Sequence, residues 1–397
     1  MKQARKTPKV ASGGVETERH PAPRVIDLFS GVGGFTLGAL RAGFDVVAAV
    51  DNDARVGRAF KTNFPDCHLV SESIALLTAR DIGREISAAV PVDGVIGGPP
   101  CQGFSHIGRR QVDDERNSLF GHFFRIVAEV RPRFFVAENV EGILADKYAA
   151  YREDALARVE GYKLLQPVIL KSSDFGAPTE RRRVFFIGYL EGAIEPLSIE
   201  DFRVRQNVER MTVGIALRGL PTRISPAWQS WESGWRKLSW KGEGWFWDRI
   251  YGAIPEGVGD SEAIRRLREF GEVSGCQGTR HSSAVTERFS VLGGGQVDRP
   301  SRARRLDRSG LCPTIRSGTG PDHGSHQAVR PIHPTQPRVI TPREAARLQG
   351  FPDWYQFDET KWHSFRQIGN SVSPILAEGI MNIIRARVHL GGRHNES

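Results

Sequence analysis

Residues 25–51 read VIDLFSGVGGFTLGALRAGFDVVAAVD. An apolar β-type run, VIDLF, breaks into a turn that holds Gly31, Gly33 and Gly34, continues as the amphipathic FTLGALRAG and ends in a second β-type run, DVVAAVD. Strand, helix and strand in that order make a βαβ unit with parallel strands. The alternation carries on through ARVGRAFKTNF, VDGVIGG, LFGHFFRIVAEVRP, RFFVAENV and RRRVFFIGYL to about residue 190. The pattern predicts an α/β fold, a doubly wound, Rossmann-like and mostly parallel sheet covered on both faces.

Ligands of such sheets sit beyond the carboxyl ends of the strands. Glycines at 31, 33 and 34 let a ligand approach the backbone, and Asp51, closing the second strand, can accept both hydroxyls of a ribose. These features describe a nucleoside site, and a nicotinamide dinucleotide would use a similar one. FSGVGG is nevertheless not a clean G-x-G-x-x-G. Phe29 is placed to cover one face of a cofactor, and Asp27 to meet an amino group such as a zwitterionic methionine moiety carries.

A second stretch, GGPPCQGFS (97–105), follows the apolar run VDGVIGG and falls on the same rim. Two glycines give permissive backbone, two prolines give rigid backbone, and the residue held there is Cys101. A thiol exposed on a loop beside donors and cations is the strongest side-chain nucleophile near neutral pH, whereas an apolar structural cysteine needs no such frame. RFFVAENV brings Glu138 and Asn139 to the end of another buried strand, where a carboxyl group serves as acid, base or substrate partner. TERRRVFFIG (179–188) brings Arg181 and Arg183 to one face of the chain and Arg182 to the other.

DLFSGVGGF, GGPPCQGFS, ENV, R-x-R at 181–183, TPREAARLQGFP and QIGNSVSP (367–374) occur in the order in which the DNA (cytosine-5) methyltransferases carry them, and the chain resembles that family. The resemblance implies methyl transfer from S-adenosylmethionine to C5 of a flipped-out cytosine in a specific double-stranded DNA sequence, through a covalent Cys101–C6 intermediate. By the same resemblance Cys101 is the nucleophile, Glu138 contacts cytosine N3, and Arg181 and Arg183 stand near the catalytic loop and base. Phe29, Gly31, Gly33, Gly34, Asp51, Leu119, Asn370 and Ser371 match the cofactor contacts. The segment QGFSHIGRR is expected to close over DNA with Arg109 and Arg110 on phosphates.

The family pattern is not followed everywhere. Asp51 stands where the family more often has Glu. VSESI (70–74) has Ser73 in place of an Asp, with Glu72 as the substitute for meeting the adenine amine. Thr179 precedes R-x-R where Gln is common, and Ser373 stands where Pro often occurs.

Between about residues 195 and 335 the alternation fails. Six of the eight tryptophans fall in residues 228–247, a compact core for a segment poor in regular structure or, alternatively, a stacking surface for bases. Residues 280–316 hold eight arginines and no lysine against three acids. By resemblance residues 195–335 are a target recognition domain, with Arg280, Arg288, Arg302, Arg304 and Arg305 on phosphates or guanine edges. Residues 1–24 then form a flexible basic arm, and 25–194 plus 336–397 the catalytic domain.

The formal net charge of +9 suits a polyanionic partner. Four scattered cysteines without ligand spacing argue against disulfides and against a metal, and no apolar run is long enough for a membrane span. The expectation is a monomeric cytoplasmic protein, associated with the nucleoid in a bacterium, working beside a separate cognate restriction endonuclease. The alternatives are an RNA cytosine-5 methyltransferase, a non-catalytic DNA-binding protein of the same fold, and a nicotinamide oxidoreductase, against which GNSV and PPCQ count.

Overall fold

The computed structural model describes residues 21–85, 91–100, 118–203, 208–230, 232–316 and 330–388. Cys101, Arg109, Arg110 and nearly all of the expected N-terminal arm lie outside them. Eight strands form one sheet: β1 (Arg24–Leu28), β2 (Asp45–Val50), β3 (His68–Val70), β4 (Gly94–Gly97), β5 (Phe134–Asn139), β6 (Tyr162–Leu164), β7 (Val168–Lys171) and β8 (Arg182–Leu190). Their order is β3-β2-β1-β4-β5-β8-β6, with β7 also on β8.

From β3 to β5 the sheet is parallel, whereas β8 runs antiparallel to β5, β6 and β7. Side chains alternate between the faces, as the two-residue period of a strand requires. Phe134 and Val136 join a cluster with Phe35, Ala39, Leu376 and Ile380, while Phe135 and Ala137 join Phe123, Phe124 and Val127. The first face is covered by α1 (Gly34–Arg41) and by the helix Pro374–Arg385, the second by the helix Ser118–Val130. The C-terminal helix is therefore part of the sheet domain's core. A Cβ at Gly38 would lie 2.4 Å from that of Ala377, so the two helices touch backbone to backbone.

Past residue 195 the structure is irregular, and the longest helix between there and residue 316 is Ser283–Ser290. Phe289, Ala303 and Ile332 form a small cluster of their own, but most of the region's buried apolar residues join the core of the sheet domain. Met211, Trp247, Ile250, Leu267 and Cys276 share one cluster with Phe60, Phe64, Phe351 and Trp354. Backbone without a ladder needs other donors for its carbonyls. Three arginines of the TPREAARLQG region supply them. Arg338 pairs with Glu344 at 2.7 Å and donates to the carbonyl of Thr222. Arg343 donates to the carbonyls of Ser274, Pro352 and Tyr355. Arg347 pairs with Asp353 and donates to those of Ala216 and Arg218. The helix itself, Pro342–Leu348, opens with a reciprocal box between Thr341 and Glu344, as its sequence predicts.

The expected DNA contacts divide in this frame. Arg280, Arg302 and Arg304 are exposed, and Arg288 pairs with Asp298 at 3.1 Å. Arg305 corrects the sequence reading. Its side chain turns inward, is 7% exposed, and donates to the carbonyls of Phe289 and Pro334, so it holds the segment together and does not face DNA. Arg305→Ala would leave those carbonyls without their donor and should cost about 1–3 kcal/mol of stability. Thermal unfolding checks this, with the sequence methylated staying as it was.

Candidate active site

Strand register aligns the rim. Leu28 pairs with Val50 on one side and Gly97 on the other, Gly97 pairs with Ala137, and Asn139 pairs with Val184. Phe29, Asp51, Gly98 and Glu138 therefore stand in one row, and Arg183 lies two residues before Phe185, the partner of Glu138 on β8. Because β8 runs antiparallel, its beginning, with Arg182 and Arg183, lies at the carboxyl ends of the other strands.

At the cofactor end of the row, Phe29, Gly31 and Gly33 all have positive φ, at 58°, 56° and 87°. For phenylalanine that backbone is strained, and such strain is kept where a site demands it. A Cβ on Gly34 would lie 2.2 Å from Ser371 Oγ and 2.3 Å from the Val372 carbonyl, so only glycine lets the GNSV segment close against the loop. A Cβ on Gly31 would meet nothing within 4 Å, which leaves open space before it. The Gly31 and Asp53 amides each donate to the Asp51 carboxylate at 2.9 Å. Burial pushes Asp51 above the usual carboxylate range. Leu119 and Phe29 pack on the cluster of Val50 and Ile74, and Asn370 is exposed beside Ser371. In the unusual VSESI segment, Glu72 is exposed and accepts the Ser73 amide at 2.8 Å.

Beneath the loop, Asp27 is fully buried, accepts the Thr36 hydroxyl at 2.6 Å and keeps Oδ1 without a partner. Burial above all, and secondarily the charge of Asp51, raise it to about 7. An acid raised on folding binds its proton more tightly in the native state, so stability from this group falls as pH rises from about 4 to about 7. Asp27→Asn should flatten that part of the curve, as read from urea midpoints across the interval.

At the other end, Glu138 Oε1 pairs with Arg183 Nε at 2.8 Å, and both side chains are largely buried. Gly98 lies close enough that a Cβ on it would come within 3.2 Å of Glu138 Oε2. Asn139 Nδ2 donates to the Pro99 carbonyl at 3.2 Å, which ties the segment after β4 to the end of β5. Arg181 is buried and donates to the Gly369 carbonyl at 2.8 Å, joining the R-x-R segment to GNSV. Burial lowers its pKa well below the usual value. Arg182 points away and pairs with Glu141 at 2.9 Å. The sequence reading places Asn139 on the rim without a task, because a side-chain bond to a turn forty residues away leaves no local pattern.

Cys67, Cys276 and Cys312 are poor nucleophiles. Burial raises Cys67 and Cys276 to about 12 and Cys312 higher still, with Cys67 Sγ donating to the Val46 carbonyl at 3.3 Å. A cavity of about 490 Å³ lined by Phe175, Trp245, Arg249 and Glu378 shares no residue with the rim. Among the described residues no group of three or more His, Cys, Asp or Glu is placed to hold a metal ion, and no helix is long and apolar enough to cross a membrane.

A parallel sheet closed by an antiparallel strand, a glycine loop beside an acid, and a carboxylate–arginine pair next to the Pro99–Pro100 segment define a Rossmann-like methyltransferase. The family model of C-5 cytosine-specific DNA methylase matches residues 23–386, and the chain belongs to that family. It is 40% identical over 365 residues to the Type II methyltransferase M.XorII of Xanthomonas oryzae pv. oryzae, covering 90% of this chain and 83% of that protein. It is 31% identical to M.DdeI of Desulfomicrobium norvegicum, over 90% of this chain and 87% of the other. A solved E. coli prophage protein assigned as a DNA modification methyltransferase superposes with a TM-score of 0.82 at 48% identity, covering 91% of this chain and 98% of that one. The protein is a DNA (cytosine-5) methyltransferase.

Proposed function

We propose that the enzyme methylates C5 of a cytosine flipped out of a specific duplex sequence, through a covalent bond between Cys101 and C6, with S-adenosylmethionine as methyl donor. The observation that carries this reading is the Glu138–Arg183 pair, with Glu138 beside Gly98 and its neighbour Asn139 bonded to Pro99, two positions before Cys101 in the sequence.

The loop suits the donor. The space before Gly31, the unpartnered Oδ1 of Asp27 and the acid at the end of β2 match a ligand with an ammonium group and a ribose. Phe29, Gly31, Gly33, Gly34, Asp51, Leu119, Asn370 and Ser371 would hold it. When bound, S-adenosylmethionine supplies an electrophilic methyl group.

The protein's own task is to make an electron-poor ring nucleophilic. The Cys101 thiolate adds to C6 and breaks the ring's aromaticity, and Glu138 protonates or hydrogen-bonds N3 where negative charge would otherwise build. C5 then has enamine character, which methyl transfer requires. Loss of the C5 proton and cleavage of the C6–S bond restore the aromatic ring. The target carbon is stacked inside a duplex, so the base must be extruded at a cost of a few kcal/mol. Arg109 and Arg110 would contact phosphates as that happens.

Residues 195–335 form the recognition region in this reading, and the exposed Arg280, Arg302 and Arg304 support it. The Type II relatives support a place in restriction–modification, with a cognate endonuclease acting separately. Bisulfite sequencing of DNA from a host expressing the chain tests the reading. The expected result is 5-methylcytosine at every copy of one short sequence, and unmodified DNA would refute it.

A further inference from the structure

Three cations from distant parts of the chain meet at the start of the helix Lys361–Asn370. The Lys361 ammonium donates to Gln229 Oε1 at 2.9 Å and to the carbonyl of Gly278, two residues before the exposed Arg280. One helical turn further along, Phe365 carries the Arg330 guanidinium over its ring at 4.4 Å. Among the described residues no carboxylate pairs with Arg280, Arg330 or Lys361. Asp358 pairs with Arg55 and Glu344 with Arg338. Burial first, and then the charges of Arg330 and Arg280, lower the pKa of Lys361.

Lys361 and Arg330 are partly desolvated and the exposed Arg280 adds a third positive charge, an arrangement that an anion stabilises. The anion available to this enzyme is its substrate. We propose that Arg280, Arg330 and Lys361 form one site for a phosphate of the DNA backbone, with Lys361 and Arg330 as DNA-binding residues outside the arginine-rich stretch 280–316. The proposal rests on the assignment of the protein as a DNA methyltransferase. The helix that begins at this site ends at Asn370, beside the glycine loop, and its ten residues span about 15 Å, the rise of about four base steps. That length separates the site from the cofactor end of the rim, and a phosphate contact carries no base information.

The test uses the full-length chain with Lys361→Met and Arg330→Gln, and with Arg330→Lys as the charge-keeping control. DNA affinity is measured by fluorescence anisotropy against salt, on a duplex holding the methylated sequence and on an unrelated duplex. Each neutral variant should weaken binding to both duplexes alike, on the order of tenfold, and reduce the slope of log K on log salt by about 0.9, while Arg330→Lys retains the slope. The methylated sequence should be unchanged, because a phosphate contact carries no base information. Wild-type salt slopes in folded neutral variants would overturn the proposal, as would a loss confined to the cognate duplex, which would mean base reading. A wild-type chain that binds DNA without methylating it would instead sink the catalytic reading and leave the slopes to decide this one.

Discussion

Cys101→Ser is expected to abolish methyl transfer, by at least about a thousandfold, while leaving S-adenosylmethionine binding close to normal. A serine hydroxyl holds its proton far more tightly than a thiol, so an attacking anion is scarce at neutral pH. The proposed cofactor contacts come from other segments, the loop after β1, the end of β2 and GNSV. None of the three described cysteines can take over, because all are buried or half-buried thiols whose ionisation burial opposes. A duplex with 5-fluorocytosine at the target position gives an independent readout. Release of the enzyme requires loss of a proton from C5, and fluorine cannot leave in that way, so the wild type should accumulate as a covalent complex and the serine variant should not. Sustained turnover by Cys101→Ser would remove the nucleophile assignment.

Glu138→Gln should lower the methylation rate by about 100- to 10,000-fold with little change in DNA affinity. The amide keeps the size of the carboxyl group and can still donate a hydrogen bond, but it cannot deliver a proton to N3 as charge develops there. It also removes the anion paired with Arg183 at 2.8 Å, leaving a largely buried guanidinium without its partner. Single-turnover rates and equilibrium binding of the same duplex separate the two consequences. Equal losses in rate and affinity would make Glu138 a positioning residue.

Sequence periodicity carried the fold class because each strand and helix writes its burial into its own residues. VIDLF, DVVAAVD and RFFVAENV are β1, β2 and β5, and TPREAARLQG carries its own cap. The proposed site was legible for a related reason, since residues at strand ends follow runs that can be recognised. Tertiary structure decided what local pattern cannot contain. The antiparallel course of β8 is invisible in RRRVFFIGYL, yet it alone brings Arg183 to Glu138. Composition made residues 280–316 a uniform basic patch, whereas folding turned Arg305 inward, paired Arg288 with Asp298, left Arg302 and Arg304 outside, and gathered Arg280 with Lys361 and Arg330. A charge has no period, so which partner it meets depends on chain segments brought together only by the packed core.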